Sequence, residues 1–338
     1  MSEEKYSTVA IIGAGCWGTA LSLVAAYNGA PVVLWTPIEE QAELLKTTRR
    51  NAPLLGDEHV PLPENVYPTT CMDAVIGCDL ILVVVPSSAM RSVAERLRDA
   101  GLPETTPIVS CTKGIEKGSS KRMTQILSEI LPNNPMAVLS GPNHAEEVAK
   151  GLPVVSLIGC ADSEIAQKIQ KRMSGARFRV YTSSDVAGME LGGAIKNVFA
   201  IAAGICDELR LADNAKAGLV TRALAEMTRL GMAMGGKPET FTGLSGIGDL
   251  MVTCYSTHSR NNTVGRYIAQ GLTIEDILVK VGSVAEGVPN ALSIYETSCR
   301  LEVRTPLIDE VYAIIYEGKK PEESMEGLLL RDLRSERE

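Results

Sequence analysis

The sequence has few of the residues and runs that mark metalloproteins, secreted proteins and membrane proteins. It contains three histidines in 338 residues, and its eight cysteines are scattered without a C-x-x-C pair. Neither residue type forms a zinc-ligand cluster, and isolated thiols inside apolar runs behave as small hydrophobic groups. No uninterrupted apolar run reaches the roughly 18 residues of a membrane span, and the polar N-terminal segment MSEEKYS is unlike a signal peptide. We therefore expect a metal-free cytoplasmic protein.

Composition and length indicate a globular protein of two domains. Apolar residues make up 45% of the chain and charged residues 22%, which excludes disorder. The 338 residues exceed what a single hydrophobic core fills. The net charge of -8 provides no general attraction to nucleic acid or anionic lipid. An anionic substrate would therefore need a local cluster of positive side chains.

Short apolar and β-branched runs in the first half of the chain predict a buried sheet. The run DLILVVV, at residues 79–85, is continuous rather than alternating, which is typical of a parallel strand covered by helices on both faces. Further strands are predicted at 8–12, 31–35, 107–111, 136–139, 154–158 and 178–181, with a helix at 18–28. This alternation indicates a doubly wound α/β domain of the Rossmann type.

Strands nearly vanish after residue 182, where helical patterns replace them. Ser184 or Asp185 can cap a helix that runs to about residue 209. Further helices are predicted at 213–234, 273–281, 288–301 and 306–317. We predict a Rossmann-like domain over residues 1–187 and an all-α C-terminal domain, which binds substrate and carries catalytic groups, over residues 188–338.

A glycine-rich segment between the first predicted strand and helix indicates a dinucleotide site. Gly13, Gly15 and Gly18 form a G-x-G-x-x-G pattern. The first glycine permits a tight turn, the second lets the backbone approach a pyrophosphate, and the third lets helix and strand pack closely. Backbone N–H groups and the helix dipole then bind the anion. A purely structural glycine turn is the alternative, but the preceding strand and following helix favour binding of NAD or NADP.

The end of the second predicted strand does not distinguish NAD from NADP. An acid there would hold the ribose 2′-hydroxyl, and an arginine would mark a 2′-phosphate. The sequence has Thr36 followed by proline instead. Glu39 and Glu40 come slightly late and are expected to cap or decorate the next helix. Arg49 and Arg50 either reach a 2′-phosphate or lie on the solvated surface, so the cofactor preference stays open.

Lys196 is the only charged residue between Glu190 and Asp207. At helical spacing it shares a face with Gly192 and Ala200, and such a face of small residues lets another part of the protein approach closely. A lysine buried there has a lowered pKa and can donate or accept a proton near neutrality. The alternative is that the small face packs against another helix while the lysine reaches water.

Polar residues also follow predicted strands at the carboxyl edge of the sheet, where ligands of open α/β sheets bind. Lys113 follows the strand at 107–111, and Gly141, Asn143 and His144 follow the next strand. His144 could act as a general base, although a histidine in a turn more often orients or caps a neighbour. For Lys113 the alternative is an ordinary surface turn.

Two charged residues of the second half stand in unusual settings. Asp249 lies in the glycine-rich segment 242–250 among apolar neighbours, where it either caps a helix or pairs with a buried cation. Arg260 lies in the sequence Ser-Arg-Asn-Asn, whose guanidinium, hydroxyl and carboxamide groups suit a phosphate dianion. The alternative for Arg260 is an ordinary helix surface.

Taken together, these residues resemble the bacterial-type family of NAD(P)-dependent glycerol-3-phosphate dehydrogenases. The matching motifs, in order, are GAGCWGTAL, VVVPS, CTKGIE, SGPNHAEEVAKGLP, LGGAIKNVFAIAAGI, NAKAGLVTRALAEM, GLSGIGDLMVTC, SRNN, VAEGVPN and TPLIDEVYAII. The resemblance implies a C-terminal domain like that of 6-phosphogluconate dehydrogenase. It also implies reversible reduction of dihydroxyacetone phosphate to sn-glycerol 3-phosphate, a precursor of glycerophospholipids.

The resemblance further implies a role for each matched residue. Lys196 would be the general acid and base, Asp249 would pair with it, and Lys113 would help to hold the developing alkoxide. The substrate would contact Lys113, Gly141, Asn143, Lys196, Asn197, Asp249, Ser259, Arg260 and Asn261. The cofactor, NAD or NADP, would contact Gly13, Gly15, Cys16, Trp17, Gly18, Lys113, Ala145, Arg260, Val284 and Glu286. A homodimer is expected from the enzyme class.

Other interpretations fit the sequence less well. Hydroxyacid and 6-phosphogluconate dehydrogenases place an asparagine four residues after the catalytic lysine, where this chain has Ala200. Ketopantoate reductases lack the G-x-G-D and S-R-N segments. A non-catalytic NAD(P)H sensor would not need a lone lysine in an otherwise uncharged helix. The chain departs from the resembled family at Asn143, where many members have serine or threonine, and at Thr36 and the following proline, where many have a basic or polar residue.

Overall fold

The computed structural model describes residues 6–56, 59–282, 285–333 and 335–336. The strands are β1 Val9–Ile12, β2 Val32–Trp35, β3 Val66–Thr69, β4 Leu80–Val83, β5 Ile108–Ser110, β6 Met136–Ser140, β7 Val154–Cys160 and β8 Phe178–Ser183. The helices among them are α1 Cys16–Tyr27, α2 Glu39–Thr48, α3 Ala52–Leu55, α4 Met72–Ile76, α5 Met90–Asp99, α6 Met123–Ile130, α7 Ala145–Ala149 and α8 Ser163–Met173. The helices that follow are α9 Val186–Glu208, α10 Ala212–Ala233, α11 Pro238–Phe241, α12 Asp249–Tyr255, α13 Arg260–Ala269, α14 Ile274–Val281, α15 Gly287–Arg300, α16 Pro306–Tyr316 and α17 Pro321–Leu329.

The strands form one sheet with the order β3-β2-β1-β4-β5-β6-β7-β8. The first six strands are parallel, and Val9 of β1 is in register with Val32 of β2 and Leu80 of β4. β7 pairs antiparallel with β6, and β8 is parallel to β7. Because the chain leaves β1 towards β2 and later returns to β4 on its other side, a crevice forms beyond the carboxyl ends of β1 and β4.

The apolar strands explain why both faces of the sheet are covered. Side chains alternate between the two faces of a strand. Val9 and Ile11 of β1 accordingly pack in a core that includes α1, whereas Ala10 and Ile12 pack in a second core that includes α5. All four residues are fully buried. The continuous apolar pattern therefore marks a strand with helices on both sides, as the sequence indicates.

Helix α9 is the centre of the second half. Its N-terminus is capped by Asp185, whose carboxylate accepts a hydrogen bond from the N–H of Gly188 at 3.0 Å. Helix α13 approaches closely, because a Cβ on Gly204 would overlap the carbonyl of Asn262, and a Cβ on Gly265 would overlap that of Ile201. Glycines on both helices thus let the two backbones touch.

The fold class is confirmed, with two differences in detail. The sequence patterns did not reveal strand β3 or the reversed direction of β7 and β8. In the described part of the chain, one helix, α9, is long and apolar enough to cross a membrane by length and composition, although Lys196 interrupts its apolar run. Of its apolar window, 89% is buried inside the protein, as in the core helix of a globular protein.

Candidate active site

Side chains from both halves of the chain meet in a cavity of about 670 Å³ beyond the carboxyl ends of the strands. One wall contains the loop between β1 and α1 and the segment that follows β5. The other wall contains residues of α9, α12 and the start of α13. The cavity lies where the topology of an open α/β sheet places a ligand.

Asp249 is the centre of a buried ion-pair cluster beside this cavity. Its Oδ1 accepts a hydrogen bond from Nζ of Lys196, and its Oδ2 accepts one from Nζ of Lys113 at 2.8 Å. Lys196 lies on α9, Asp249 begins α12, and Lys113 lies in the loop after β5. Lys196 is 5% exposed and Asp249 is 1% exposed. One carboxylate therefore balances two ammonium groups inside the protein.

The surroundings of Lys196 make it suitable for proton exchange. Burial lowers the pKa of its ammonium group from the ordinary 10.5 to about 7; the charge of Lys113 acts in the same direction, and Asp249 opposes it. Lys196 also contributes to the wall of the cavity. The alternative in which this lysine reaches bulk water is wrong, because its ammonium is held by buried partners.

Further hydrogen bonds orient the two lysines. The hydroxyl of Thr253 accepts a hydrogen bond from Nζ of Lys196 at 2.6 Å and donates one to the main-chain carbonyl four residues earlier, also at 2.6 Å. Nζ of Lys113 donates to the carbonyl of Gly141 at 3.1 Å and to Oδ1 of Asn143 at 2.9 Å. Both ammonium groups are therefore fixed by neutral acceptors as well as by the shared carboxylate.

A second polar group lies at the start of α13. Nδ2 of Asn261 donates to Oδ1 of Asn197 at 3.0 Å, and Oδ1 of Asn261 accepts from the N–H of Gly287 at 2.9 Å. The hydroxyl of Ser259 caps this helix, and Arg260 is its first residue. A helix N-terminus, a guanidinium and carboxamides together provide hydrogen-bond donors suited to an anion.

The glycine-rich loop has the geometry that a dinucleotide requires. Gly13 has a φ of 112°, and a Cβ on it would overlap the carbonyl of Val84. A Cβ on Gly18 would likewise overlap the carbonyl of Gly13, so this glycine permits close helix packing. At Gly15 a Cβ would meet no neighbouring atom within 4 Å, and this residue lines the cavity. The backbone is open there to a pyrophosphate group.

Two family descriptions match successive parts of the chain. The family model for the N-terminus of NAD-dependent glycerol-3-phosphate dehydrogenase matches residues 8–166, and the model for the C-terminus matches residues 185–326. The chain belongs to this dehydrogenase family. The two matches also agree with a Rossmann-like first half and a helical second half.

Individual relatives match over nearly their full length. An NAD(P)+ glycerol-3-phosphate dehydrogenase of Desulfitobacterium hafniense is 41% identical over 328 residues, covering 97% of this chain and 92% of that protein. A protein of the same name from Desulfotalea psychrophila is 44% identical over 336 residues, covering 97% and 98%. The crystal structure of glycerol-3-phosphate dehydrogenase from Coxiella burnetii matches with a TM-score of 0.91 at 37% identity, covering 97% of this chain and 99% of that one.

Most residues that the sequence singled out lie together in the cavity wall. They are Gly13, Gly15, Cys16, Trp17, Gly18, Lys113, Asn143, Ala145, Lys196, Asn197, Ser259, Arg260, Asn261 and Glu286. Gly141 and Asp249 join the site through their hydrogen bonds to Lys113. Val284 lies outside the described residues. The chain thus has a loop that fits a dinucleotide and, beside it, a cluster of basic groups.

The end of β2 has a neutral residue, Thr36, where a charged side chain would select between NAD and NADP. Thr36 lines the cavity, and its hydroxyl donates to Oε1 of Gln41 at 2.6 Å. Glu39 and Glu40 lie in the first turn of α2, as expected. The guanidinium of Arg49 donates to main-chain carbonyls within residues 62–66 instead of pointing towards this end of the cavity.

His144 remains a second titratable group of the site. It precedes α7, lines the cavity, and has Nε2 at 3.5 Å from the carbonyl of Val252. Burial lowers the pKa of its imidazole, and the charge of Lys196 adds to this effect. Asp249 forms its ion pairs with Lys196 and Lys113 and not with His144, which favours Lys196 as the proton-exchanging group.

Sequence reasoning missed three contacts that shape the site. Thr253 follows Asp249 by four residues, so helical spacing could have placed it on the same face. Glu286 accepts hydrogen bonds from the N–H of Ser87 at 2.8 Å and from its hydroxyl at 2.6 Å, which joins the two halves of the chain. Asn290 binds the main chain near both lysines. The last two contacts are tertiary and have no local sequence signal.

Proposed function

We propose that this protein catalyses the reversible, NAD(P)H-dependent reduction of dihydroxyacetone phosphate to sn-glycerol 3-phosphate. The observation that carries this proposal is the buried cluster of Lys196, Asp249 and Lys113, which faces the same cavity as the glycine-rich loop. The relatives that match along the whole chain are named glycerol-3-phosphate dehydrogenases. Their name supports this substrate for the present chain.

The protein's own contribution to the chemistry is proton transfer. A nicotinamide dinucleotide, when bound, supplies or accepts the hydride. In the reduction, the ammonium of Lys196 donates a proton to the carbonyl oxygen of the substrate, and in the reverse direction the neutral amine removes it. A pKa of about 7 populates both forms near neutrality. Lys113 stabilises the negative oxygen as it develops, while Asp249 orients both lysines.

The phosphate group of the substrate would bind at the second polar group. Arg260 supplies a guanidinium fork, and Asn197, Ser259 and Asn261 add neutral donors around it. Gly141 and Asn143 accept hydrogen bonds from Lys113 and would border the reacting carbonyl. This arrangement concentrates positive charge inside a protein whose net charge is -8. It therefore selects a small anion without making the whole surface basic.

The cofactor would lie along the glycine-rich loop. Gly13, Gly15 and Gly18 provide the backbone space, and Cys16 and Trp17 complete the loop at the start of α1. Ala145, Glu286, Lys113 and Arg260 also line the cavity; Ala145 and Glu286 would extend the cofactor contacts, and Lys113 and Arg260 would border both ligands. Val284 lies outside the described residues, and its assignment to the cofactor site rests on the family resemblance alone.

We further propose that the enzyme acts in the cytoplasm as a homodimer and supplies glycerol 3-phosphate for phospholipid synthesis. The enzyme class supports these assignments, and all eight cysteines are free thiols. The division into residues 1–187 and 188–338 is supported by the end of β8 at Ser183 and the start of α9 at Val186. Light scattering would test the dimer, which should have a mass near twice the 36.1 kDa of the chain.

Absorbance of NADH, and separately of NADPH, should fall when dihydroxyacetone phosphate is added to the purified protein. Lys196→Ala should lose this activity by orders of magnitude while cofactor binding, measured by nicotinamide fluorescence, stays intact. Oxidation of neither cofactor by the wild type would refute the proposed substrate. Tight cofactor binding without turnover of any ketone phosphate would instead indicate a sensor.

A further inference from the structure

The first turns of α15 connect the two walls of the cavity. Asn290, on this helix, is 1% exposed. Its Oδ1 accepts a hydrogen bond from the N–H of Ile115 at 3.3 Å, and its Nδ2 donates to the carbonyls of Lys113 and Ala194 at 3.4 Å each. One carboxamide thus joins α15 to the loop after β5 and to α9.

These contacts complete a closed ring of interactions. Lys113 and Lys196 meet at their ammonium groups through Asp249. Asn290 joins the same two segments at the main chain, since it binds the carbonyl of Lys113 itself and that of Ala194, two residues before Lys196. The loop after β5 and α9 are therefore joined twice, through the ammonium groups of the two lysines and through their main chains.

We propose that Asn290 is a positioning residue that sets the spacing of Lys113 and Lys196 for proton transfer. The inference rests on the proposed function, because it assumes that these lysines act on a substrate. A carboxamide fits this role because it carries an acceptor for the N–H of Ile115 and donors for the two carbonyls. An aliphatic side chain provides neither, and a carboxylate cannot donate.

Loss of the carboxamide should change how Lys196 titrates. The groups that face this lysine are Asp249 of α12, Lys113 of the loop after β5, His144 before α7 and Cys254 of α12. The charge of Lys113 lowers the pKa of Lys196. If the loop of Lys113 withdraws, that contribution weakens, so the pKa of Lys196 should rise. The limb of the pH profile that depends on this lysine should then move to higher pH.

The test compares Asn290→Ala with Asn134→Ala. Asn134 is also buried, and its Nδ2 donates to the carbonyls of Pro103 and Thr106 at 2.8 and 2.9 Å, away from the cavity. For Asn290→Ala we expect kcat to fall roughly tenfold to a hundredfold, as for a small misplacement of catalytic groups. KM for the cofactor should change little. Asn134→Ala should leave kcat and the pH profile unchanged. Asn290→Ser, whose hydroxyl can accept from the Ile115 N–H without adding a charge, serves with the same expected result if the alanine variant does not fold.

The outcomes separate positioning from a purely structural role. A fall in kcat together with the shifted pH limb supports the proposal. An unchanged kcat, or a loss without any shift of the pH limb, overturns it. NMR titration of Lys196 in protein with labelled lysine measures the same pKa without substrate. A raised pKa there with an inactive wild type would support the positioning role and refute the proposed reaction, so the two failures are distinguishable.

Discussion

Replacing Lys196 with methionine should slow the reaction and stabilise the fold at the same time. Methionine is apolar and flexible, so it can occupy the buried space of the lysine stem. Loss of the proton donor should lower kcat by about 10²–10⁴-fold, the usual contribution of a general acid. Asp249 keeps its ion pair with Lys113, so the substitution does not leave this carboxylate buried without a cation.

The gain in stability follows from the pKa of this lysine. Folding lowers the pKa from 10.5 to about 7, and one pKa unit corresponds to about 1.36 kcal/mol. Because the folded-state pKa is depressed, the unfolded chain binds more protons between these two values, and the wild type loses stability as pH falls through this window. Burial of this lysine therefore lowers the free energy of unfolding by about 4 kcal/mol at pH 7 and by about 1 kcal/mol at pH 10.

Urea unfolding at pH 7 and pH 10 measures this difference directly. The stability advantage of Lys196→Met over the wild type should shrink by about 3 kcal/mol between the two conditions. Lys117→Met is the control, because Lys117 is exposed and its substitution should have the same effect at both pH values. An advantage that does not change with pH would refute the reasoning, since it would mean that folding does not depress the pKa of Lys196.

Three further substitutions test other parts of the structure. Gly15→Val should raise the dissociation constant for NADH at least about tenfold, because the valine side chain fills the open face of the glycine-rich loop. Fluorescence titration measures the dissociation constant, and an unchanged circular dichroism spectrum is the control for folding. Thr36→Arg should raise the ratio of kcat/KM for NADPH to that for NADH about tenfold, since it adds a charged donor for a 2′-phosphate; an unchanged ratio would place the 2′ position elsewhere. Burial raises the pKa of Glu226 to about 7. The protonated carboxyl group therefore stabilises the fold fully below the pKa of the unfolded state, and this stabilisation is lost as pH rises through 7. Glu226→Gln should therefore reduce the decline of the melting temperature between pH 5 and pH 8, and an unchanged decline would contradict this.

The parts of the fold that could be predicted are those whose signals are local. The continuous apolar run of β4 indicated a buried parallel strand, and Asp185 indicated the cap of α9. β3 was missed because it is short, lies at the sheet edge and contains Pro68, which is typical of edge strands and weakens a strand pattern. The direction of β7 was hidden because the connection through α7 is long enough for either orientation.

The site could be predicted only as far as single residues stand out from their neighbours. Lys196 and Asp249 were recognisable because each is a charge among apolar residues. The carboxylate of Asp249 pairs with both lysines because α12 packs between α9 and the loop after β5. No local sequence pattern encodes this packing. Asn290 has no distinguishing neighbourhood in the sequence, so its contacts became visible only with the tertiary structure.

The small residues of α9 connect the stability of the fold with the reactivity of its lysine. A Cβ on Gly192 would overlap the carbonyl of Ser245, and a Cβ on Gly193 would lie 3.3 Å from Cγ of Lys113. Glycine at these positions lets the segment before α12 close over the helix and lets Lys113 pass across it to Asp249. This closure excludes water from Lys196, and desolvation is the largest cause of its lowered pKa. The residues that permit the tight packing of α9 therefore also lower the pKa of the lysine that we propose exchanges the proton.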